Sequence, residues 1–241
     1  MTGPVAELRA FLRAALVSPV PDRHEDPPAS TPRRRLTVAL TLLAGVAALA
    51  ATLRIPPGDG RFYPAAVGLA AVWAVGALVS GPLHLGSGHT RAGARLSRPV
   101  AQSLALGVLT LAVFLAGAVA VARVPALREP VDDLLDHARF GSLPAVLGIT
   151  VLNGVVEELF FRGALYAALP PARAVLLTTA LYTLTTLGSG VPLLVFAAAV
   201  VGLLTALQRR VTGGVLGPMI THVTWSCGML LLLPPVLQLV R

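Results

Sequence analysis

Hydrophobic residues in this chain occur in long blocks that are separated by short polar stretches. A helix that crosses a lipid bilayer needs about 20 predominantly apolar residues, and most of the blocks approach or exceed that length. The pattern therefore predicts an all-α protein, a polytopic membrane helix bundle with about seven transmembrane helices. The approximate limits of the blocks are 36–53, 63–81, 100–122, 143–168, 172–187, 191–208 and 211–233.

One of these blocks, 172–187, is short for a membrane-spanning helix. It runs directly into the sequence GSGVP at 188–192. A short helix that ends at a glycine is tolerated at membrane depth where it lines a cavity rather than lipid. We therefore expect this helix to border a cavity inside the bundle.

The residues before the first block predict an N-terminal extension, 1–35. Apolar side chains within 5–17 recur at helical spacing, with Arg9 and Arg13 on the other side. This pattern is typical of a short helix lying on an anionic membrane surface, although a loosely ordered tail fits the same residues. Proline and polar residues dominate 18–32, which predicts a disordered linker.

Composition also favours a membrane protein. Of the 241 residues, 55% are hydrophobic and 12% are charged, which is too apolar for an ordinary soluble domain. The net charge is +8, and all 19 basic residues are arginine. Because the arginines flank apolar blocks, we expect the lipid bilayer as a partner and no nucleic acid. The missing lysine suggests a GC-rich genome, so we predict an integral plasma membrane protein of a bacterium.

The connecting segments predict the orientation in that membrane. The loops on the side of the N-terminus are rich in arginine, whereas the segment 123–141 on the other side carries four acidic residues and predicts a short amphipathic helix. Since cytoplasmic loops carry an excess of basic residues, we expect a cytoplasmic N-terminus and an outside C-terminus. The arginines on the N-terminal side are Arg33, Arg34, Arg35, Arg91, Arg95, Arg98, Arg173, Arg209 and Arg210.

The fourth block contains three charged residues, in the sequence VVEELFFRGAL at 155–165. Each charge near the centre of a membrane helix costs about 2.5–3.5 kcal/mol, so some interaction must offset them. Glu158 and Arg162 have the spacing and order of a helical ion pair. Glu157 points about 100° away from Glu158. It must therefore face a wet cavity, another polar group or a metal, or else be protonated.

Further polar residues occur in the later part of the chain. Asn153 precedes Glu157 by four residues, and could hydrogen-bond its carboxylate and fix its rotamer. His222 and Ser226 share a face of the last block, and Thr186 ends the short one. Ionisable groups at membrane depth usually mark a functional site.

Peptide hydrolysis inside a membrane would use these residue types. It needs a base for a bound water and a donor for the developing oxyanion. Glu157 would be the base, Glu158 and Arg162 would orient the site, and His222 would hold the water, donate to the oxyanion or ligate a metal. Two other interpretations stay open, namely a polar staple between helices and a proton-coupled carrier.

At these residues the chain resembles the CPBP family, the CAAX-processing and bacteriocin-processing intramembrane proteases. The sequence EELFFRG, 157–163, looks like the family's E-E-x-x-x-R motif, and His222 with Ser226 looks like its last motif. The resemblance implies a four-helix catalytic core, a membrane-associated peptide or protein substrate, and a glutamate-activated water completed by histidines. The chain then divides into the extension 1–35, accessory transmembrane helices 36–142 and a CPBP-like core 143–241.

The middle motif departs from the family. The family usually has Phe-x-x-x-His there, whereas this chain has Tyr182 and Thr186, and Ser226 replaces an asparagine. Without that histidine, Glu157 and His222 would be the clearest metal ligands, fewer than the three of a typical catalytic zinc. A divalent metal such as zinc is therefore weakly supported. A catalytically inactive relative that binds or regulates a membrane protein is the alternative function.

Overall fold

The protein is described by a computed structural model over residues 3–21, 23–27, 30–89 and 97–239. Arg91 and Arg95, which entered the predicted orientation, lie outside the described residues. The helices are α1 (Pro4–Leu16), α2 (Pro32–Thr52), α3 (Phe62–Ser80), α4 (Val100–Val121), α5 (Pro125–Arg139), α6 (Leu143–Glu158), a π-helix (Leu159–Leu165), α7 (Tyr166–Ala168), α8 (Pro171–Thr186), a 3₁₀ turn (Leu187–Ser189), α9 (Pro192–Thr212) and α10 (Leu216–Leu239).

The predicted class, a polytopic all-α bundle, is confirmed. In the described part of the chain, six helices are long and apolar enough to cross a membrane, which makes this an integral membrane protein. The seventh predicted span, α8, has only 16 residues, in keeping with its short apolar block. The six spans are 32–52, 62–80, 100–120, 143–168, 192–212 and 216–239.

Successive long helices run in alternating directions, so the bundle has two distinct ends. We call the end where α2, α8 and α10 begin the basic end, because it carries Arg33, Arg35, Arg173 and Arg210. The opposite end carries α5, the amphipathic helix that the acidic segment predicts. The assignment of these ends to the cytoplasm and the outside stays a prediction.

Close helix contacts depend on small residues, as is usual where helices pack in a membrane. Gly45 of α2 lies against the indole of Trp73 on α3, and Gly76 of α3 lies against Thr41 on α2. A Cβ at either glycine would overlap the neighbouring side chain. The α2–α3 pair packs against one side of α6 and of the π-helix, and Trp73 of α3 lies in this contact.

The N-terminal extension packs onto the basic end. The predicted helix is present as α1, and Ala15 on it is buried. The described part of 18–31 has no regular secondary structure, and several of its groups contact the bundle. The amide of Val20 donates to the carbonyl of Val211 at 2.9 Å, and Val20 itself is fully buried. The hydroxyl of Ser30 donates to the carbonyl of Ala168 at 3.0 Å.

A backbone pairing at the basic end positions α10. The amides of Val215 and Leu216 donate to the carbonyls of His84 and Leu85 at 2.9 and 3.1 Å. Gly214 lies so close to the backbone of Leu85 that a Cβ would overlap it. The loop after α3 therefore holds the start of the helix that carries His222.

Candidate active site

The fourth span changes its helical geometry at the charged motif. The α6 helix ends at Glu158, and Leu159–Leu165 continue as a π-helix. The sequence predicts a regular helix through this segment and gives no sign of the change. Phe160 and Phe161 are fully buried against Trp73, with ring centroids 4.8 and 5.2 Å away. π-helical turns inside α-helices occur frequently at functional sites.

Glu158 and Arg162 form the predicted ion pair. Nη1 of Arg162 donates to Oε1 of Glu158 at 3.0 Å, and both side chains have no exposed surface. A second guanidinium nitrogen, Nη2, donates to the carbonyl of Gly202 at 2.9 Å. The guanidinium also lies 4.7 Å from the ring centroid of Tyr182. These contacts offset only part of the desolvation of the two charges, because Oε2 of Glu158 and Nε of Arg162 are buried without a hydrogen-bond partner in the described structure.

His222 hydrogen-bonds Glu158. Its Nδ1 lies 2.9 Å from Oε1 of Glu158, and the imidazole is buried. That oxygen also accepts from Arg162, which makes it a charged acceptor. Because a carboxylate only accepts hydrogen bonds, Nδ1 carries the proton and a neutral His222 keeps an unprotonated Nε2. Glu158 therefore fixes the tautomer of this histidine.

Glu157 points to the other side of the helix, as the rotation between adjacent residues predicts. Its Oε2 accepts a hydrogen bond from the hydroxyl of Tyr182 at 2.9 Å. Glu157 also lines a cavity of about 230 Å³ inside the bundle. Since one water occupies about 30 Å³ in the liquid, this cavity has room for several.

Five of the seven predicted site residues line this one cavity: Asn153, Glu157, Thr186, His222 and Ser226. Glu158 and Arg162 do not line it, and reach it only through His222 and Tyr182. Most of the remaining wall is apolar. It is formed by Leu49, Leu53, Trp73, Gly154, Phe161, Leu194, Ala197, Ala198, Val201 and Trp225, with Thr150, Tyr182 and Thr185 adding hydroxyls.

Asn153, Thr186 and Ser226 hydrogen-bond backbone carbonyls and not the other site residues. Asn153 does not bond Glu157, because its amide nitrogen donates to the carbonyls of Ile149 at 3.1 Å and of Ala66 at 3.5 Å. The hydroxyl of Thr186 donates to its own helix at the carbonyl of Thr183, 2.8 Å away. Ser226 likewise bonds back to its own helix, at a carbonyl 3.4 Å away. The prediction that Asn153 fixes the rotamer of Glu157 is therefore wrong.

Tyr182 takes the role that was expected of Asn153. Its hydroxyl bonds Glu157, and its ring lies between the guanidinium of Arg162 and the ring of Phe161. The sequence contains a signal for this, since Tyr182 lies four residues before Thr186 and thus on the same helical face.

The described side chains do not fit a tightly held zinc ion. Among them, no group of three or more His, Cys, Asp or Glu residues is arranged to hold a metal ion, whereas catalytic zinc typically has three protein ligands. Oε1 of Glu158 is already shared by Arg162 and His222. Oε2 of Glu157 accepts from Tyr182.

The site is also tied to the N-terminal extension, which the sequence does not predict. Nε of Arg209 donates to the backbone carbonyl of Arg162 at 2.8 Å, and Nη2 of Arg209 donates to Asp26 at 2.7 Å. The side chains of Arg209 and Asp26 are 3% and 9% exposed, so this ion pair is almost fully withdrawn from solvent. Asp26 therefore helps to hold the π-helix that carries the charged motif.

Replacing Asp26 with Asn should lower the free energy of unfolding by about 2 kcal/mol, because the amide oxygen can still accept from Arg209 but the buried guanidinium loses its counter-charge. Thermal or denaturant unfolding of the purified protein in detergent measures this. Glu25→Gln is the matched control, since Glu25 is 68% exposed in its pair with Arg23 and surface pairs contribute little. Equal losses in the two variants would contradict a specific role for Asp26.

Comparison with known proteins gives one match. Residues 139–228 match the family model described as "Type II CAAX prenyl endopeptidase Rce1-like". This segment contains the π-helix, α8, α9 and most of α10, and includes every predicted site residue. Searches of curated proteins and of solved structures gave no significant match. The family match suggests a membrane endopeptidase of the CAAX-protease type.

Proposed function

We propose that this protein is an intramembrane endopeptidase, because its residues 139–228 match the family model of type II CAAX prenyl endopeptidases. Its substrate would be a membrane-associated peptide or protein, hydrolysed by a glutamate-activated water. The observation that carries the proposal is that Glu157 and His222 line one cavity with room for water. A carboxylate and an imidazole that reach the same water are what general-base hydrolysis requires.

In the proposed reaction, Glu157 takes a proton from the water, and the oxygen of that water attacks the scissile carbonyl carbon. The C–N bond then breaks, and the proton passes to the leaving nitrogen. His222 holds the water through the lone pair on Nε2, the nitrogen that the bond to Glu158 leaves unprotonated. Glu158 and Arg162 act as positioning residues, since they reach the cavity only through other side chains.

The mostly apolar cavity wall supports a substrate segment with apolar side chains, which would reach the site from the bilayer.

We propose that the protein lies in a bacterial plasma membrane, with the basic end in the cytoplasm. Proteoliposomes that contain the protein and a library of membrane-anchored peptides test the activity. Mass spectrometry would detect new peptide termini, and their absence across the library would count against the proposal.

Tyr182→Phe should lower kcat about 10-fold, because hydrogen bonds to charged groups contribute about 1.5–3 kcal/mol and Glu157 loses the donor that orients it. The ring would keep its contacts with Arg162 and Phe161, so the variant should stay folded, with a melting temperature lower than that of the wild type by only about 5 °C. Tyr63→Phe is the matched control, because its hydroxyl accepts from the amide of Ser142 at 2.8 Å, away from the cavity. Equal kinetics for Tyr182→Phe and the wild type would contradict the positioning of Glu157 by this hydroxyl.

The second candidate function is that of an inactive relative that binds or regulates a membrane protein. Thr186 favours it, because this residue lines the cavity at the position where the family usually has histidine. Thr186→His separates the two candidates. Cleavage by the wild type would rule out the inactive relative. Cleavage by Thr186→His alone would support it. The double variant Glu157→Gln/Thr186→His shows whether any new cleavage uses the same base.

A further inference from the structure

A second cavity lies at the basic end, apart from the candidate active site. It has a volume of about 700 Å³, within the usual range of ligand-binding pockets, about 300–1,000 Å³. The start of α2, the end of α3 and the N-terminal extension form it. Its lining residues are His24, Asp26, Pro27, Ser30, Thr31, Arg33, Arg34, Leu78, Val79, Ser80, Gly81, Pro82 and His84.

Arg34 is built into the wall of this cavity. The residue is only 8% exposed, its Nε donates to the carbonyl of Ser80 at 3.1 Å, and its Nη2 donates to the carbonyl of Pro82 at 3.3 Å. Gly81 adopts a positive φ of 142°, and a Cβ there would overlap the guanidinium. The backbone thus makes room for a charged group whose acceptors are two neutral carbonyls. No carboxylate in the described chain pairs with Arg34.

The cavity carries an excess of positive charge at one edge. Arg33 is exposed next to Arg34, and both lie in the first turn of α2, where the helix dipole also favours an anion. The acid in the lining, Asp26, is already engaged by Arg209 at 2.7 Å and by His24 at 3.4 Å. Burial lowers the pKa of His84 below its ordinary value, so this histidine adds no charge at neutral pH.

The other edge is apolar and faces outward. Leu78 and Val79 are 67% and 49% exposed near the end of a membrane-spanning helix. Lipid chains contact such side chains in an integral membrane protein. A ligand that fills the cavity would therefore have an anionic head next to Arg33 and Arg34 and a hydrocarbon tail along α3.

We infer that this cavity binds the phosphate headgroup of an anionic phospholipid from the leaflet at the basic end. Basic pockets between transmembrane helices are suited to such headgroups. An arginine guanidinium matches phosphate oxygens in geometry as well as in charge. The inference is independent of the proposed peptidase activity, because it uses none of the residues around Glu157.

The test measures binding of phosphatidylglycerol to the purified full-length protein in a zwitterionic detergent, by native mass spectrometry. Arg33→Gln should weaken binding about five-fold, the effect expected for one basic group near an anionic lipid. Arg34→Lys should also weaken it, because the planar fork is lost while the charge remains. The matched control is Arg173→Gln, an exposed arginine at the same end that does not line the cavity, and it should leave binding unchanged.

Two comparison ligands make the result decisive. Phosphatidylcholine should bind more weakly than phosphatidylglycerol, and inorganic phosphate should fail to displace the lipid. Equal binding of phosphatidylcholine, or an equal loss in Arg173→Gln, would overturn the inference in favour of general attraction to the bilayer. Inorganic phosphate that binds as tightly as the lipid would overturn it in favour of a soluble anion. Circular dichroism of each variant confirms that the protein is folded.

Discussion

Glu157→Gln is expected to reduce peptide cleavage by at least about 100-fold, since general acid–base groups typically contribute about 10²–10⁴ in rate. Glutamine keeps the size of the side chain and can still accept from the Tyr182 hydroxyl, but it cannot take a proton from water. The cavity and the buried ion pair should therefore persist. Initial rates on a cleavable peptide in proteoliposomes, at matched amounts of inserted protein, measure the effect.

The matched control for this prediction is Glu129→Gln. Glu129 is an exposed glutamate on α5, away from the cavity, and its replacement should leave the rate unchanged. Melting temperatures close to that of the wild type would show that both variants are folded. Equal turnover by Glu157→Gln and the wild type would eliminate this carboxylate as the base.

The hydrophobic pattern predicted the six long spans, because each span must satisfy its own backbone hydrogen bonds within one helix, but the last predicted block, 211–233, begins and ends several residues before the helix Leu216–Leu239. The predicted block 63–81 and the helix Phe62–Ser80 differ by one residue at each end. The short length of α8 was also readable from the sequence. Helix pairing was not, because it depends on local contacts such as Gly45 against Trp73, and periodicity does not encode them.

The candidate site was predictable only in part. Spacing alone gave the Glu158–Arg162 pair, since residues four apart in a helix are neighbours. The partner of His222 depends on how α10 packs beside α6, which no local pattern specifies. The π-helix at Leu159–Leu165 likewise has no local sequence signature.

The N-terminal extension shows the limit of composition as a guide. Proline and polar residues favour disorder, and the described part of the linker has no regular secondary structure. Composition does not reveal that one carboxylate, that of Asp26, meets the buried guanidinium of Arg209 more than 180 positions later in the chain. Such long-range ion pairs require the folded arrangement of α9 and the extension.

Arg162→Gln is expected to lower the free energy of unfolding by about 3–5 kcal/mol, because removing one partner leaves the charge of Glu158 buried without its cation. His222 would remain hydrogen-bonded to Glu158, but it does not replace the contact that the guanidinium makes with the carbonyl of Gly202. Reversible unfolding of the purified protein in bicelles measures the loss. If the variant fails to accumulate in the membrane, the loss of folding free energy is larger than this range.

A double-mutant cycle separates the ion pair from general loss of packing. Glu158→Gln/Arg162→Gln should recover much of the stability, because two neutral amides replace an unpaired charge. The pair Arg139 and Asp136 provides the control cycle, since its atoms are 2.9 Å apart but its side chains are 31% and 27% exposed, and such pairs contribute about 0–1 kcal/mol. A coupling energy at Glu158 and Arg162 no larger than that of the control would contradict the view that burial makes this pair a requirement of the fold. A large coupling would mean that the charges orienting His222 also hold the fourth span in place, so that a variant lacking only one of them would lose stability together with activity.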